Sequence, residues 1–150
     1  MSEIVWIRSH VERCLQDIWD RCDVKPDGDG DYGYRWGTAA CYIRVEGGDP
    51  PLVRVWAHAV VGVKPTVRLL REVNDLNTHT RTAHVVLGGQ AVVVEHVLHP
   101  AGLDRDTLRH ACSAVGAVAD EIGATISAVY GGSTPFPADE DEDATDREAS

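Results

Sequence analysis

Three alternating aspartates in a glycine-rich stretch are the residues whose spacing first suggests chemistry. They are Asp27, Asp29 and Asp31, and carboxylates at alternate positions are how an EF-hand loop begins to bind calcium. In that register, however, the required turn glycine would fall at Tyr32 and the bidentate glutamate at Thr38. Because both positions carry the wrong residue type, we interpret the stretch as a solvated loop that enters a strand. A looser cation site in this loop stays open as an alternative.

Histidine and cysteine are the other side chains that could bind a metal or act as a nucleophile. Of the seven histidines, His58 and His84 lie on predicted strands and could meet on one sheet face, which leaves open a zinc site or a metal-dependent enzyme. Cys41 has apolar neighbours at two-residue spacing, which favours a buried thiol over a nucleophile. The sequence contains no nucleotide-binding, serine-hydrolase or zinc-protease motif. We therefore predict that the protein is not an enzyme and that it uses no cofactor and no metal.

Large aromatic side chains on the predicted strands favour binding over catalysis. Tyr42, Trp56 and His58 alternate with small apolar residues, and Trp36 stands on the strand before them. A sheet face that mixes polar and aromatic side chains is typical of one left open to water or to a partner. Aromatic residues also contribute disproportionately to binding energy. We predict that Trp36, Tyr42, Trp56 and His58 form a partner-binding sheet face, although a second copy of the chain could cover it instead.

Charge in this chain is concentrated near the C-terminus. The net charge is −10, and residues 139–148 hold seven acidic side chains against one arginine. An acidic chain argues against nucleic acid as a partner, because phosphate binding requires clustered lysine and arginine. The sequence shows no membrane-span-like stretch and no signal-peptide pattern, and its four cysteines include no C-x-x-C pair. We expect a cytoplasmic protein with reduced thiols and no membrane partner.

Hydrophobic periodicity predicts the elements that position these residues. Apolar residues recur at helical spacing in three segments and alternate in the strand-like segments between them. The expected fold is α+β, an antiparallel β-sheet with helices packed mainly on one face, in the order α-β-β-β-α-β-β-α. Gly116 and Gly123 flank the apolar stripe of the last helix, which predicts close docking of that helix.

The composition changes sharply after the last helix. Residues 133–150 are rich in Pro, Ala, Asp and Glu and lack the apolar side chains that a core requires. We therefore predict one domain over residues 1–132 and a disordered acidic tail over residues 133–150. The tail is interpreted as a solubilising extension, and the alternative is an acidic segment that folds back over a binding surface.

The middle helix carries two asparagines on one face near its end. Asn74 and Asn77 lie three residues apart, and asparagine is a poor helix former because its amide competes for backbone groups. We predict that these side chains tie the helix to neighbouring backbone, a structural role; a helix end stopped by polar residues is the alternative.

The order of these features resembles the YbjN family and its relatives built on the type III secretion chaperone fold. The resemblance covers residues 4–132 and rests on the aspartate-glycine loop before the first strand, Leu69-Leu70 followed by the two asparagines, the Gly88-Gly89 hairpin with its valine-rich strand, and the Gly131-Gly132 helix end. It implies a non-catalytic, chaperone- or adaptor-like module, frequently homodimeric, that holds a protein or peptide client on its sheet or helix surface. A domain that senses a small molecule is the alternative that uses the same scaffold.

Overall fold

A computed structural model describes residues 2–138 of the chain. Three helices and five strands follow one another in the predicted order, which confirms the α+β assignment. Their bounds are α1 Glu3–Trp19, β1 Tyr32–Trp36, β2 Ala39–Glu46, β3 Leu52–Val61, α2 Val67–Asn77, β4 His84–Gly88, β5 Ala91–Leu98 and α3 Arg105–Tyr130.

The five strands form one antiparallel sheet in the order β1-β2-β3-β5-β4. Burial alternates along β2 and β3, so one side chain in two faces the helices and is removed from water. Cys41, Ile43, Val55 and Ala57 lie on that helix-covered face with at most 1% of their surface exposed. Their neighbours along the strands point to the opposite face, which we call the open face.

Helix α3 packs across the middle of the sheet at very short range. A Cβ atom on Gly123 would lie 2.9 Å from the carbonyl oxygen of Ala59, and one on Gly116 would lie 2.6 Å from the Trp36 ring. These contacts confirm the close docking predicted from the two glycines. Helix α3 is long and apolar enough to cross a membrane, but core helices of soluble proteins share this length and composition. Nine residues of α3 are buried in this domain.

The chain after α3 differs from the predicted boundary at residue 132. Ser133 and Val61 exchange two backbone hydrogen bonds of 2.9 Å, and the Phe136 N–H donates to the Thr38 carbonyl at 3.1 Å. Composition did not reveal this packing because backbone groups make most of it. The acidic part of the predicted tail, residues 139–150, lies outside the described residues.

Candidate functional site

Three of the predicted binding residues lie together on the open face. Tyr42 and Trp56 are directly opposite each other on β2 and β3, and their rings stack with centroids 4.5 Å apart. His58, two residues along β3, meets the Trp56 ring edge-on at 5.0 Å and the Tyr42 ring at 6.0 Å. We call Tyr42, Trp56 and His58 the aromatic cluster. All three side chains remain partly exposed to solvent, because within residues 2–138 no helix covers them.

Trp56 is the centre of this cluster and has an unusual polar group. Its indole Nε1–H is buried, yet it finds no acceptor among the described residues. The Arg54 guanidinium lies over the same ring, 5.1 Å from its centroid. A buried donor without an acceptor costs about 1–3 kcal/mol, so the surface gains free energy when an acceptor reaches this position.

A charged network borders the cluster on the side of β5 and β4. Glu95 lies opposite Trp56 and accepts from Arg54 at 2.7 Å and from His84 at 2.9 Å. Burial alone would raise the pKa of Glu95, but the hydrogen bonds from Arg54 and His84 outweigh it and hold the pKa below its usual value. The cluster is therefore bordered by a carboxylate that remains ionised.

Burial acts in the opposite sense on the histidine of the cluster. Burial beside the stacked Tyr42 and Trp56 rings lowers the pKa of His58. His58 is therefore neutral at physiological pH, and the cluster presents an uncharged surface to an incoming chain.

Trp36 does not belong to this surface, which corrects the prediction for one of its four residues. It lies opposite Ala39, which is fully buried, and residues opposite each other on antiparallel strands share a face. Its ring packs against Gly116 on α3, on the helix side of the sheet. The two-residue turn at Gly37 and Thr38 fixes this register, and that signal could have assigned the face from sequence.

Trp36 lines a separate cavity instead. With Trp19 and Tyr34 it borders a cavity of about 530 Å³ between the end of α1, the start of α3 and strand β1. The Tyr34 hydroxyl donates to the Cys112 carbonyl at 2.8 Å, which fixes the floor of this cavity.

The apolar part of the open face is wider than the sequence suggested. Val86 and Val97 are both 39% exposed on it, and Val86 lies opposite Val93. Strands β4 and β5 carry valine at consecutive positions. The alternation of apolar and polar residues therefore does not predict which of these valines lie on the open face.

Asn77 ties α2 to the edge of the sheet, while Asn74 does not. The Asn77 amide donates to the Val85 carbonyl at 2.8 Å and accepts from the Val85 N–H at 2.7 Å. The Asn74 side chain is exposed and makes no hydrogen bond to any residue that the structure describes. The two asparagines share a helix face, but only the one nearer the helix end reaches β4.

The candidate metal and nucleophile residues have structural explanations. Carboxylate oxygens of Asp27, Asp29 and Asp31 lie within 4.8 Å of one another, but Asp27 accepts from the N–H groups of Asp29 and Asp31, and Asp31 pairs with Arg44. Burial raises the pKa of the Cys41 thiol to about 12, which makes it a poor nucleophile.

The two histidines that could meet on one sheet face both lie on the open face, but a strand separates them. His58 on β3 lies opposite Val93 of β5, whereas His84 on β4 lies opposite Glu95 of β5. Strand β5 therefore stands between them, and His84 bonds to Glu95.

Comparisons with known proteins show the family and a similar fold. A family model described as "T3SS (YopN, CesT) and YbjN peptide-binding chaperone 1" matches residues 6–138. A chain in the crystal structure of the ExsC–ExsE complex has a similar fold, with a TM-score of 0.63 and 12% identity over 83% of this chain and 96% of that one. No curated protein matches the sequence.

Proposed function

We propose, because this chain belongs to the family of type III secretion and YbjN peptide-binding chaperones, that its open sheet face is where the client is held. A chaperone of this family binds a peptide or protein client and does not transform it, so the protein is a non-catalytic binding module. The proposal concerns the surface: the aromatic cluster is the anchor for an extended client segment.

The observation that carries this proposal is the stacked aromatic cluster on a sheet face that none of the three described helices covers. Tyr42 and Trp56 offer two rings already packed at 4.5 Å, so little side-chain entropy is lost when a client binds. Val86 and Val97 extend the apolar surface towards β4, and Arg54 and Glu95 supply charges at its border. This arrangement of an aromatic anchor with polar neighbours is typical of a binding hot spot.

The protein is further proposed to act as a cytoplasmic homodimer. Val67 and Leu70 on α2 and Val129 on α3 are each more than half exposed, which supports a second contact surface on the helix layer. Arg68 lies over the Tyr130 ring at 5.6 Å and holds α2 close to the end of α3. A dimer formed through this layer would leave the open face free for the client, and native mass spectrometry of the purified chain would give its copy number.

The experiment that tests the client surface compares two tryptophans. A random peptide library displayed on phage is selected on the full chain, and the enriched peptides are measured by fluorescence polarisation against Trp56→Ala and Trp6→Ala. Trp6 is 59% exposed on α1, so its removal controls for loss of a surface tryptophan. We expect Trp56→Ala to weaken binding by about 30-fold or more, as for a hot-spot residue, and Trp6→Ala to leave it unchanged. Equal affinities for both variants would contradict the proposal.

A further inference from the structure

We infer that the acidic segment after Ala138 docks on the open face of its own chain and competes there with the client. The inference deepens the proposed function and rests on it, because it assigns a regulator to the same surface. The acidic segment comprises residues 139–150 and has seven acidic side chains and one arginine.

The path of the chain after α3 is the first observation. Gly131 and Gly132 adopt φ of 88° and 76°, and a Cβ on Gly132 would lie 2.6 Å from the Val61 carbonyl oxygen. The chain then pairs with the end of β3 through Ser133 and Val61. It thereby leaves the helix layer and enters the plane of the sheet.

The second observation is where the described chain ends. Arg35 lies on the open face, since it is opposite Ala40, which in turn is opposite His58. Its guanidinium lies 4.6 Å from the centroid of the Phe136 ring and donates to the Pro137 carbonyl at 3.2 Å. The described chain therefore ends beside the open face, not on the helix side.

Phe136 already stands beside the aromatic cluster. A cavity of about 280 Å³ lies between Phe136 and Tyr42, above Gly33 and Ala40. The small side chains of these two positions make the depression, which leads from the end of the described chain towards Trp56.

The length of the acidic segment is sufficient to cross this surface. Twelve residues follow Ala138, and an extended chain of that length spans about 40 Å. A five-stranded sheet is about 19 Å wide between its outer strands. Every part of the open face is therefore within reach.

Arg35 places a positive charge beside the end of the described chain. Two further arginines on this face, Arg44 and Arg54, are paired with Asp31 and Glu95. Outside residues 139–150 the net charge is −4, from −10 for the whole chain and −6 for this segment, so an acidic segment is favoured where an arginine is at hand.

The buried indole N–H of Trp56 adds a chemical reason. It has no acceptor among the described residues, and carboxylates are acceptor-only groups. The N–H is buried, so an acceptor reaches it when a neighbouring side chain moves aside.

Covalent attachment makes even a weak contact effective. A flexible tether of this length gives an effective concentration in the millimolar range, so a segment with weak intrinsic affinity is bound much of the time. Neutralising the acidic segment is then expected to raise the affinity for a client peptide by about 3- to 10-fold, since the competitor is removed.

The test uses the indole N–H signals of the four tryptophans in a ¹⁵N-labelled full-length chain. The wild type is compared with a full-length variant that neutralises the segment by Asp139→Asn, Glu140→Gln, Asp141→Asn, Glu142→Gln and Asp143→Asn. We expect the Trp56 signal to differ between the two proteins at low salt, and the difference to shrink at about 0.5 M NaCl. Trp6, on the exposed surface of α1, is the internal control and should not move. Identical Trp56 signals, or shifts that depend on protein concentration, would overturn the inference.

Failure of this inference is distinguishable from failure of the proposed function. The Trp56 signal could be the same in both proteins while Trp56→Ala still abolishes peptide binding. In that case the acidic segment does not dock on the open face, and the open face is still the client surface. If neutralising the segment shifts Trp56 but Trp56→Ala leaves peptide binding intact, the segment docks there and the client surface is wrong.

Discussion

Asn77 takes the place of a neighbouring strand for Val85. Its side-chain amide donates to the Val85 carbonyl and accepts from the Val85 N–H, at 2.8 and 2.7 Å. These two backbone groups of Val85 point away from β5, and an additional strand would otherwise pair with them. One side chain thus attaches α2 to the sheet and occupies part of a free sheet edge.

Replacement of Asn77 by alanine should cost stability. Two hydrogen bonds to a buried residue are lost at once, so we expect the free energy of unfolding to fall by about 1–3 kcal/mol. Urea denaturation measures the change, and Asn74→Ala is the matched control because Asn74 is exposed on the same helix. The control should stay within about 0.5 kcal/mol of the wild type. Equal losses in both variants would contradict a specific role for the bonds between Asn77 and Val85, because alanine favours the helix at both positions.

Gly123→Ala should destabilise the protein although alanine favours helices. The new Cβ would lie 2.9 Å from the Ala59 carbonyl oxygen, which is backbone of the central strand β3. Overpacking of this kind costs about 1–3 kcal/mol and exceeds the roughly 1 kcal/mol gained in helix propensity. Gly28→Ala, where a Cβ meets nothing within 4 Å, is the control. A melting temperature for Gly123→Ala at or above that of the wild type would contradict the close approach of α3.

The two faces of the sheet should respond differently to loss of a tryptophan. Trp36→Ala removes a ring packed against α3 and should lower the free energy of unfolding by about 1–3 kcal/mol, with unchanged affinity for enriched peptides. Trp56→Ala should weaken the affinity for the enriched peptides, while the protein remains folded. Circular dichroism melts and fluorescence polarisation on the same samples separate the two effects. If Trp36→Ala abolished binding in a stable protein, the assignment of Trp36 to the helix side would be wrong.

Acidification should weaken the fold through His58. Burial beside the Tyr42 and Trp56 rings lowers the pKa of His58 below the unfolded value of 6.5, so the unfolded chain takes up a proton first as pH falls. The contribution of neutral His58 to the free energy of unfolding is fully present above pH 6.5. It is lost as pH falls through the lowered pKa of His58 in the folded state. Free energies of unfolding measured from about pH 7.5 to pH 5 should therefore decline, and His58→Gln should decline less steeply. Parallel curves for the two proteins would exclude His58 as the group responsible.

The order of elements could be predicted from the sequence because hydrophobic periodicity is strong in this chain. The apolar stripe of α3 and the alternation along β2 and β3 directly reflect which side chains are buried. The aromatic cluster followed from the same alternation, since Tyr42, Trp56 and His58 lie on two strands in register.

The errors occurred where periodicity carries no information. The prediction for Trp36 is wrong because alternation alone ignores the two-residue turn at Gly37 and Thr38. That turn places Trp36 on the same face as Ala39, the helix side of the sheet. The packing of Ser133 and Phe136 depends on backbone hydrogen bonds, which leave no trace in composition. The bonds between Asn77 and Val85 required knowing that the end of α2 lies beside β4, which is a tertiary fact.

The occupied edge of β4 also limits how copies of this protein can assemble. Sheets that join edge to edge into filaments need two available edges on every molecule, one for each neighbour. Here Asn77 blocks pairing at Val85 on one of the two edges. Pairing through β4 would first have to displace Asn77 from Val85, whereas pairing through β1 would not. Association of two copies through β1 is therefore favoured over continued growth through both edges.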